Sequence, residues 1–149
     1  MNNDALRVSI SCRDNPDCTF DNKDIIVDVI MQNSADHTIG LPLNYFRAKG
    51  LHCFLVNNET NKKMVLGISL TPDSLKREFT KMRAGEQVRL SRKISASLIR
   101  SMTGKVVNLT ANVAIYGLIE MSENEEPVEF TKEAKVTIQG KKNVSERID

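Results

Sequence analysis

From Leu6 the apolar positions Leu6, Val8, Ile10 and Cys12 alternate with Arg7, Ser9 and Ser11, the period of two that turns successive side chains to opposite faces of a strand. The segment from Asp24 to Asn33 is dense in Ile and Val, with Asp28 and Gln32 as its interior polar positions, a composition suited to the middle of a sheet. Apolar runs beginning at Leu51 and Lys63 flank the polar stretch Asn57 to Asn61, which predicts a hairpin. Val88 and Leu90 face away from Gln87, Arg89 and Ser91. The strongest alternation follows, with Val107, Leu109, Ala111, Val113 and Ile115 on one face, and predicts a long central strand. Its partner runs from Val128 to Ile138, where Lys132 is the misfit on the apolar face.

Between these strands, Gly40, Pro42 and Gly50 break the stretch from His37 to Gly50, which reads as a structured loop with a short strand. The region after Thr71 has helical character, because Thr71 or Asp73 offers a cap and Leu75 and Phe79 lie four residues apart. This predicts one short helix near residues 72–80, ended by Gly85. Ser95 to Gly104 reads as a turn or a single helical turn. Seven or eight strands with polar turns favour an all-β antiparallel two-sheet sandwich, since half-buried sheets must cover their apolar faces with each other. Residues 1–140 form the expected single domain, and residues 141–149 a flexible tail.

Length and charge narrow the picture further. The chain has 149 residues, a formal net charge of +2 and 40% apolar residues, enough for one domain with a core of its own. No apolar run reaches the roughly 18 residues of a bilayer-spanning helix, and a balance of +2 is far from that of a dedicated nucleic-acid binder. Neither a membrane nor nucleic acid is the expected partner. The stretch MNNDALRVSISC lacks the basic and apolar regions of an export leader, so the expected compartment is the cytoplasm. There Cys12 and Cys18 are expected as free thiols, the alternative being that they close the small loop CRDNPDC in an oxidising compartment. Cys53, within an apolar run, reads as a core residue.

The order of parts resembles a known group. The strand IIVDVIMQNSADHTIGLPL, the hairpin LHCFLVNNETNKKM, the segment REFTKMRAGEQVRLSRKIS and the long strand after Gly104 are similar to bacterial immunoglobulin-like inhibitor and accessory domains. Intracellular proteinase inhibitors and the propeptide-like sandwiches of some metalloproteases belong among these. A Lys-x-x-x-Gly-Glu turn precedes a strand of the opposite sheet in that group, and Lys81 to Glu86 match it here. The resemblance spans residues 24–118 and implies an immunoglobulin-like sandwich that acts by binding another protein.

Catalytic chemistry is sparse. His37 and His52 are the two imidazoles, and neither a nucleophile elbow, a phosphate-cradling loop nor a paired-His zinc helix occurs. No catalytic residue, cofactor or metal is expected. Cys12, Cys18, His52 and Cys53 lack the short paired spacings of a structural zinc site. Asp14, Asp17, Asp21 and Asp24 offer oxygen ligands without the loop signature of an EF-hand. Asn58, Asn108 and Asn143 begin N-x-S/T triplets, which have no meaning without export.

Charge is unevenly spread. Nine basic residues between Lys76 and Lys105 stand against Glu78 and Glu86 alone, an excess of seven, while Glu120, Glu123, Glu125, Glu126, Glu129 and Glu133 cluster further on. Only Phe79 interleaves with these cations, too few aromatics for base stacking, so an acidic protein surface is the expected partner. Tyr45 and Phe46 stand side by side next to Arg47 in the Gly/Pro-bounded loop, the makeup of an interface anchor. The expected partner-binding residues are therefore Tyr45, Phe46, Arg47, Lys76, Arg77, Lys81 and Arg83. The expected function is a non-catalytic inhibitor or immunity-type protein that neutralises a bacterial hydrolase or toxin. The alternative is a carbohydrate- or calcium-binding module using the loops around Asp14 to Asp24.

Overall fold

The computed structural model describes residues 5–141, and the expected tail after Lys141 lies outside them. The protein is mainly β. In chain order the strands are β1 (Leu6–Cys12), β2 (Thr19–Phe20), β3 (Ile25–Asn33), β4 (Ile39–Leu41), β5 (His52–Asn57), β6 (Lys63–Val65), β7 (Thr80–Met82), β8 (Gln87–Ile94), β9 (Asn108–Ile119) and β10 (Val128–Gly140). Two seven-residue helices, α1 (Leu43–Lys49) and α2 (Ala96–Met102), interrupt them.

The strands form a three-stranded sheet ordered β1-β3-β8, a five-stranded sheet ordered β2-β10-β9-β5-β6, and a β4-β7 ribbon. Leu6, Val27, Val29, Met31, Leu90 and Ile94 from the first sheet share one core with Cys53, Leu55, Leu109, Val113, Phe130 and Ile138 from the second. The alternation in β1, β8 and β9 predicts these buried faces correctly. The ribbon is fastened to the large sheet by a reciprocal main-chain pair, Gly40 N to Glu120 O at 2.8 Å and Glu120 N to Gly40 O at 2.9 Å.

Lys132 occupies an inward position of β10 opposite Ile115 and is half-buried. On its other side β10 pairs only with β2, at Gln139 and Gly140. A charge turned inward on such an edge opposes the docking of further strands, which accounts for the misfit.

Four expectations are corrected. The large sheet is mixed rather than antiparallel, because the two residues of β2 run parallel to the end of β10. Cys12 and Cys18 are bonded to each other rather than free, and their closed turn carries Thr19 and Phe20 to β10, where Cys18 O accepts from Gln139 N. The stretch from His37 to Gly50 holds the expected short strand, β4, but its remainder is helix α1 rather than a loop, with Pro42 at its N-cap and Gly50 at its C-cap at φ 86°. Pro is preorganised at a helix start and Gly suits positive φ at its end, so these two residues bound a helix. Residues 72–80 hold only a five-residue 3-10 turn, Asp73–Arg77, with Pro72 at its N-cap position and no side-chain cap. Thr80 to Met82 pair with β4 instead, and Phe79 lies outside the turn.

Helix α2 is longer than the single turn expected. Ser95 Oγ accepts from Leu98 N, and Asp24 Oδ1 accepts from Ala96 N at 2.8 Å, so two side chains satisfy its first donors. Ile99 and Met102 then enter the core.

Candidate docking surface

The 3-10 turn passes beside the end of β9, and between them opens a cleft of about 470 Å³. Tyr45 and Pro42 come to it from the start of α1, Lys76 and Arg77 from the turn, Tyr116 from β9, and Glu129 from β10. Three of the seven expected partner-binding residues, Tyr45, Lys76 and Arg77, are thus brought together across some thirty positions of chain.

Tyr45 itself is buried, contrary to an exposed-loop placement. Helix α1 explains this, since Leu43, Tyr45 and Phe46 lie on its core side while Asn44 and Arg47 face solvent. The Tyr45 hydroxyl accepts from Lys49 Nζ at 2.9 Å. The ammonium groups of Lys49 and Lys76 stand 5.2 and 5.9 Å from the ring centre, where the ring quadrupole attracts them. Lys76 also pairs with Asp73 at 3.2 Å, both well exposed.

Phe46 lies beneath the cleft, packed edge-on to Phe130 with ring centres 6.1 Å apart. It forms part of the floor's support rather than an exposed anchor. Arg47 is exposed but does not line the cleft. Lys81 is engaged with Glu123, which raises the pKa of its ammonium and lowers that of the carboxylate through their hydrogen bond. The basic segment and the acidic hairpin therefore neutralise one another at this point. Arg83 lies in the turn before β8, where its main-chain N donates to Glu86 Oε1 at 2.8 Å.

Sequence reasoning missed Tyr116 and Glu129. Tyr116 is 47% exposed, and its ring lies nearly perpendicular to that of His52 with centres 4.8 Å apart. One signal was available: extending the outward series Asn108, Thr110, Asn112 and Ala114 by one step places an aromatic ring in solvent.

The remaining titratable groups stand singly or in isolated pairs rather than in one cluster. His52 lies on the outer face and Cys53 on the inner face of β5. Burial, assisted by the Lys49 and Arg92 cations, lowers the pKa of His52, and burial pushes the Cys53 thiol up to about 11. His37 holds Asp36 Oδ1 at 3.0 Å and the Met121 carbonyl at 2.9 Å. Asp24 is spent on α2, Asp21 faces Lys141 at 3.8 Å, and Asn15 closes the disulfide turn onto Thr19. The four aspartates of that region therefore do not converge. Among the described residues no group of three or more His, Cys, Asp or Glu side chains is placed to hold a metal ion, and no helix is long and apolar enough to cross a membrane.

No protein-family model and no curated protein matches the chain. Among solved structures it is similar to a Northeast Structural Genomics Consortium target, at TM-score 0.44 and 10% identity over 91% of this chain and 88% of that one. It is also similar to part of a β-glucosidase from Erythrobacter marinus, at TM-score 0.42 and 8% identity, covering 89% of this chain and 15% of the enzyme. A third likeness is to a protein from Archaeoglobus fulgidus, at TM-score 0.38 and 15% identity over 88% and 94% of the two chains. At these scores none carries an argument about this chain.

Proposed function

We propose that this protein is a non-catalytic binding module, of the inhibitor or immunity type, that docks an acidic segment of another protein in the cleft beside Tyr116. The scaffold is read as an immunoglobulin-like sandwich whose five-stranded sheet supplies one wall of the cleft from β9 and β10. The observation that carries the reading is the convergence of Tyr45, Lys76 and Arg77 with exposed Tyr116 in one cleft.

Aromatic and Arg side chains at the centre of a patch supply most of the energy of protein interfaces. Two cations at the rim accelerate the encounter with an acidic partner. The separation of His52 from Cys53 on opposite faces, and the high pKa of that thiol, fit a role without nucleophilic chemistry.

Affinity capture from the source cell with the wild type and with a Lys76→Glu/Arg77→Glu variant, followed by association kinetics, tests the reading. We expect the captured partner to associate at least tenfold more slowly with the variant at low salt, with a smaller difference at high salt. Equal capture and equal rates with both proteins overturn it. Arg77→Glu alone is run beside the double variant, because Lys76→Glu also breaks the exposed pair with Asp73, as a Lys81 substitution would break the pair with Glu123.

A further inference from the structure

The outer face of the five-stranded sheet carries a second site, distinct from the cationic cleft in its chemistry. Ala114 sits in mid-sheet on the solvent side of β9, and its short side chain floors a hollow of about 370 Å³. Tyr116 and Asn112 bracket it along β9, Phe54 stands on the β5 side, and Glu133 and Lys135 stand on the β10 side. In the ladder Glu133 is directly opposite Ala114, and Lys135 and Phe54 both flank Asn112. Two strand spacings, about 10 Å, separate Glu133 and Lys135 on β10 from Phe54 on β5. The volume lies in the range of about 300 to 1,000 Å³ typical of small-ligand sites.

We infer that this hollow binds a neutral carbohydrate. β9 pairs along this stretch with β10 on one side and β5 on the other, so its main-chain donors and acceptors are already used. A ligand here is recognised by side chains, which disfavours an added peptide strand. The hollow opens to solvent, which suits a ligand that keeps one face wet. A pyranose ring presents an apolar C–H face to an aromatic side chain and a rim of hydroxyls to polar ones.

The polar wall has capacity to spare. Glu133 and Lys135 enter no ion pair among the described residues, and Asn112 donates only a long 3.4 Å bond to Thr110 O. A carboxylate and an amide accept and donate to neighbouring hydroxyls. The opposite charges of Glu133 and Lys135 balance within the hollow itself, which favours a neutral sugar over a uronic acid there. The Lys63 ammonium stands over the Phe54 ring, 4.1 Å from its centre, so Tyr116, 47% exposed, is the aromatic side chain open to the sugar.

The His52 ring packs nearly perpendicular to Tyr116 at the far side of Ala114. Beyond Ala114, a second depression of about 270 Å³ continues past His52 toward Lys63 and Val65, sharing Phe54, Ala114 and Tyr116 with the first. The groove therefore crosses strands β10, β9, β5 and β6, long enough for more than one sugar unit.

The test is an array of neutral β-glucan, xylan, mannan and chitin oligosaccharides, followed by calorimetric titration of the retained sugar. Ala114→Gln fills the hollow from the solvent face and is expected to lower affinity at least tenfold, with thermal unfolding unchanged. Glu133→Ala and Lys135→Ala, at exposed positions, are each expected to lower it several-fold, while Arg77→Glu leaves it unchanged. Absence of binding at millimolar concentrations of these sugars overturns the inference, as does binding that is indifferent to Ala114→Gln. Binding that follows Arg77 rather than Ala114 also overturns it, because it places the sugar in the cationic cleft instead.

Discussion

A β-carbon placed on Gly117 would stand 2.9 Å from Cε1 of Phe46, a separation that real β-carbons do not adopt. Gly117 pairs with Phe130 in the ladder, and the Phe46 ring occupies the space that a side chain at Gly117 would need. The floor of the cationic cleft thus depends on one glycine in a central strand and one phenylalanine of α1.

Gly117→Ala is expected to destabilise the fold by about 1–3 kcal/mol, the usual cost of overpacking a closed core. Phe46→Leu in the same chain should recover part of that loss. A double-mutant cycle by urea unfolding checks the coupling, and strictly additive effects contradict the contact.

His37 confers a pH dependence of known sign. Both ring nitrogens face acceptors, Asp36 Oδ1 and the Met121 carbonyl, so the cation donates at both ends, and these bonds raise the pKa above its ordinary value. A raised folded-state pKa means that this stabilisation is complete below the unfolded pKa and is lost as pH rises through the folded one. The denaturation midpoint of His37→Ala should therefore lie below that of the wild type at pH 5.5 and approach it at pH 9.

Asp28 has the opposite sign. Arg13 donates to both of its oxygens, at 3.0 and 2.7 Å, and Ser91 Oγ donates at 2.7 Å. The Arg13 bond, opposed by burial and aided by Ser91, lowers its pKa. Stability is then present above the unfolded carboxylate pKa and lost as pH falls through the folded value. Asp28→Asn should cost on the order of 1–3 kcal/mol near neutral pH and differ less from the wild type below pH 3, as read by pH-dependent unfolding.

Thiol counting checks the cysteine assignment. Unfolding without reductant should expose one thiol, Cys53, and unfolding with reductant three. In the folded protein Cys53 should resist alkylation at pH 8, because it is buried and its pKa is about 11.

Arg92 joins the small sheet to the chain around the large one. Its guanidinium donates to Leu51 O at 3.1 Å and to Gly67 O at 2.6 Å, although its position on β8 is an inward one. Arg92→Leu keeps the apolar stem but leaves both carbonyls without this donor, and a loss of about 1–2 kcal/mol is expected. Hydrogen exchange should rise in residues 66–70 more than in β3.

Much of the strand pattern was legible in the amino-acid order. Leu6 to Cys12, Gln87 to Ser91 and Leu109 to Ile115 alternate with a period of two, and burial of one face follows from strand geometry alone. The β5-β6 hairpin was equally plain, because the polar run Asn57 to Asn61 separates two apolar segments; the structure adds that Asn57 Oδ1 accepts from Glu59 N within the turn. Helix α1 was missed because seven residues are too few for periodicity to outweigh Gly and Pro read as breakers, and the stabilisation of so short a helix comes from burying Leu43, Tyr45 and Phe46.

Local periodicity therefore decided which face of each long strand is buried, since every second side chain shares a side whatever its partners. Tertiary structure alone decided that Cys12 meets Cys18, that Lys81 is neutralised by Glu123, and that Tyr45, Lys76 and Arg77 share a cleft with Tyr116. Those relationships depend on strand register and chain crossing, which bring distant residues within contact range and leave no periodic trace in the residues themselves.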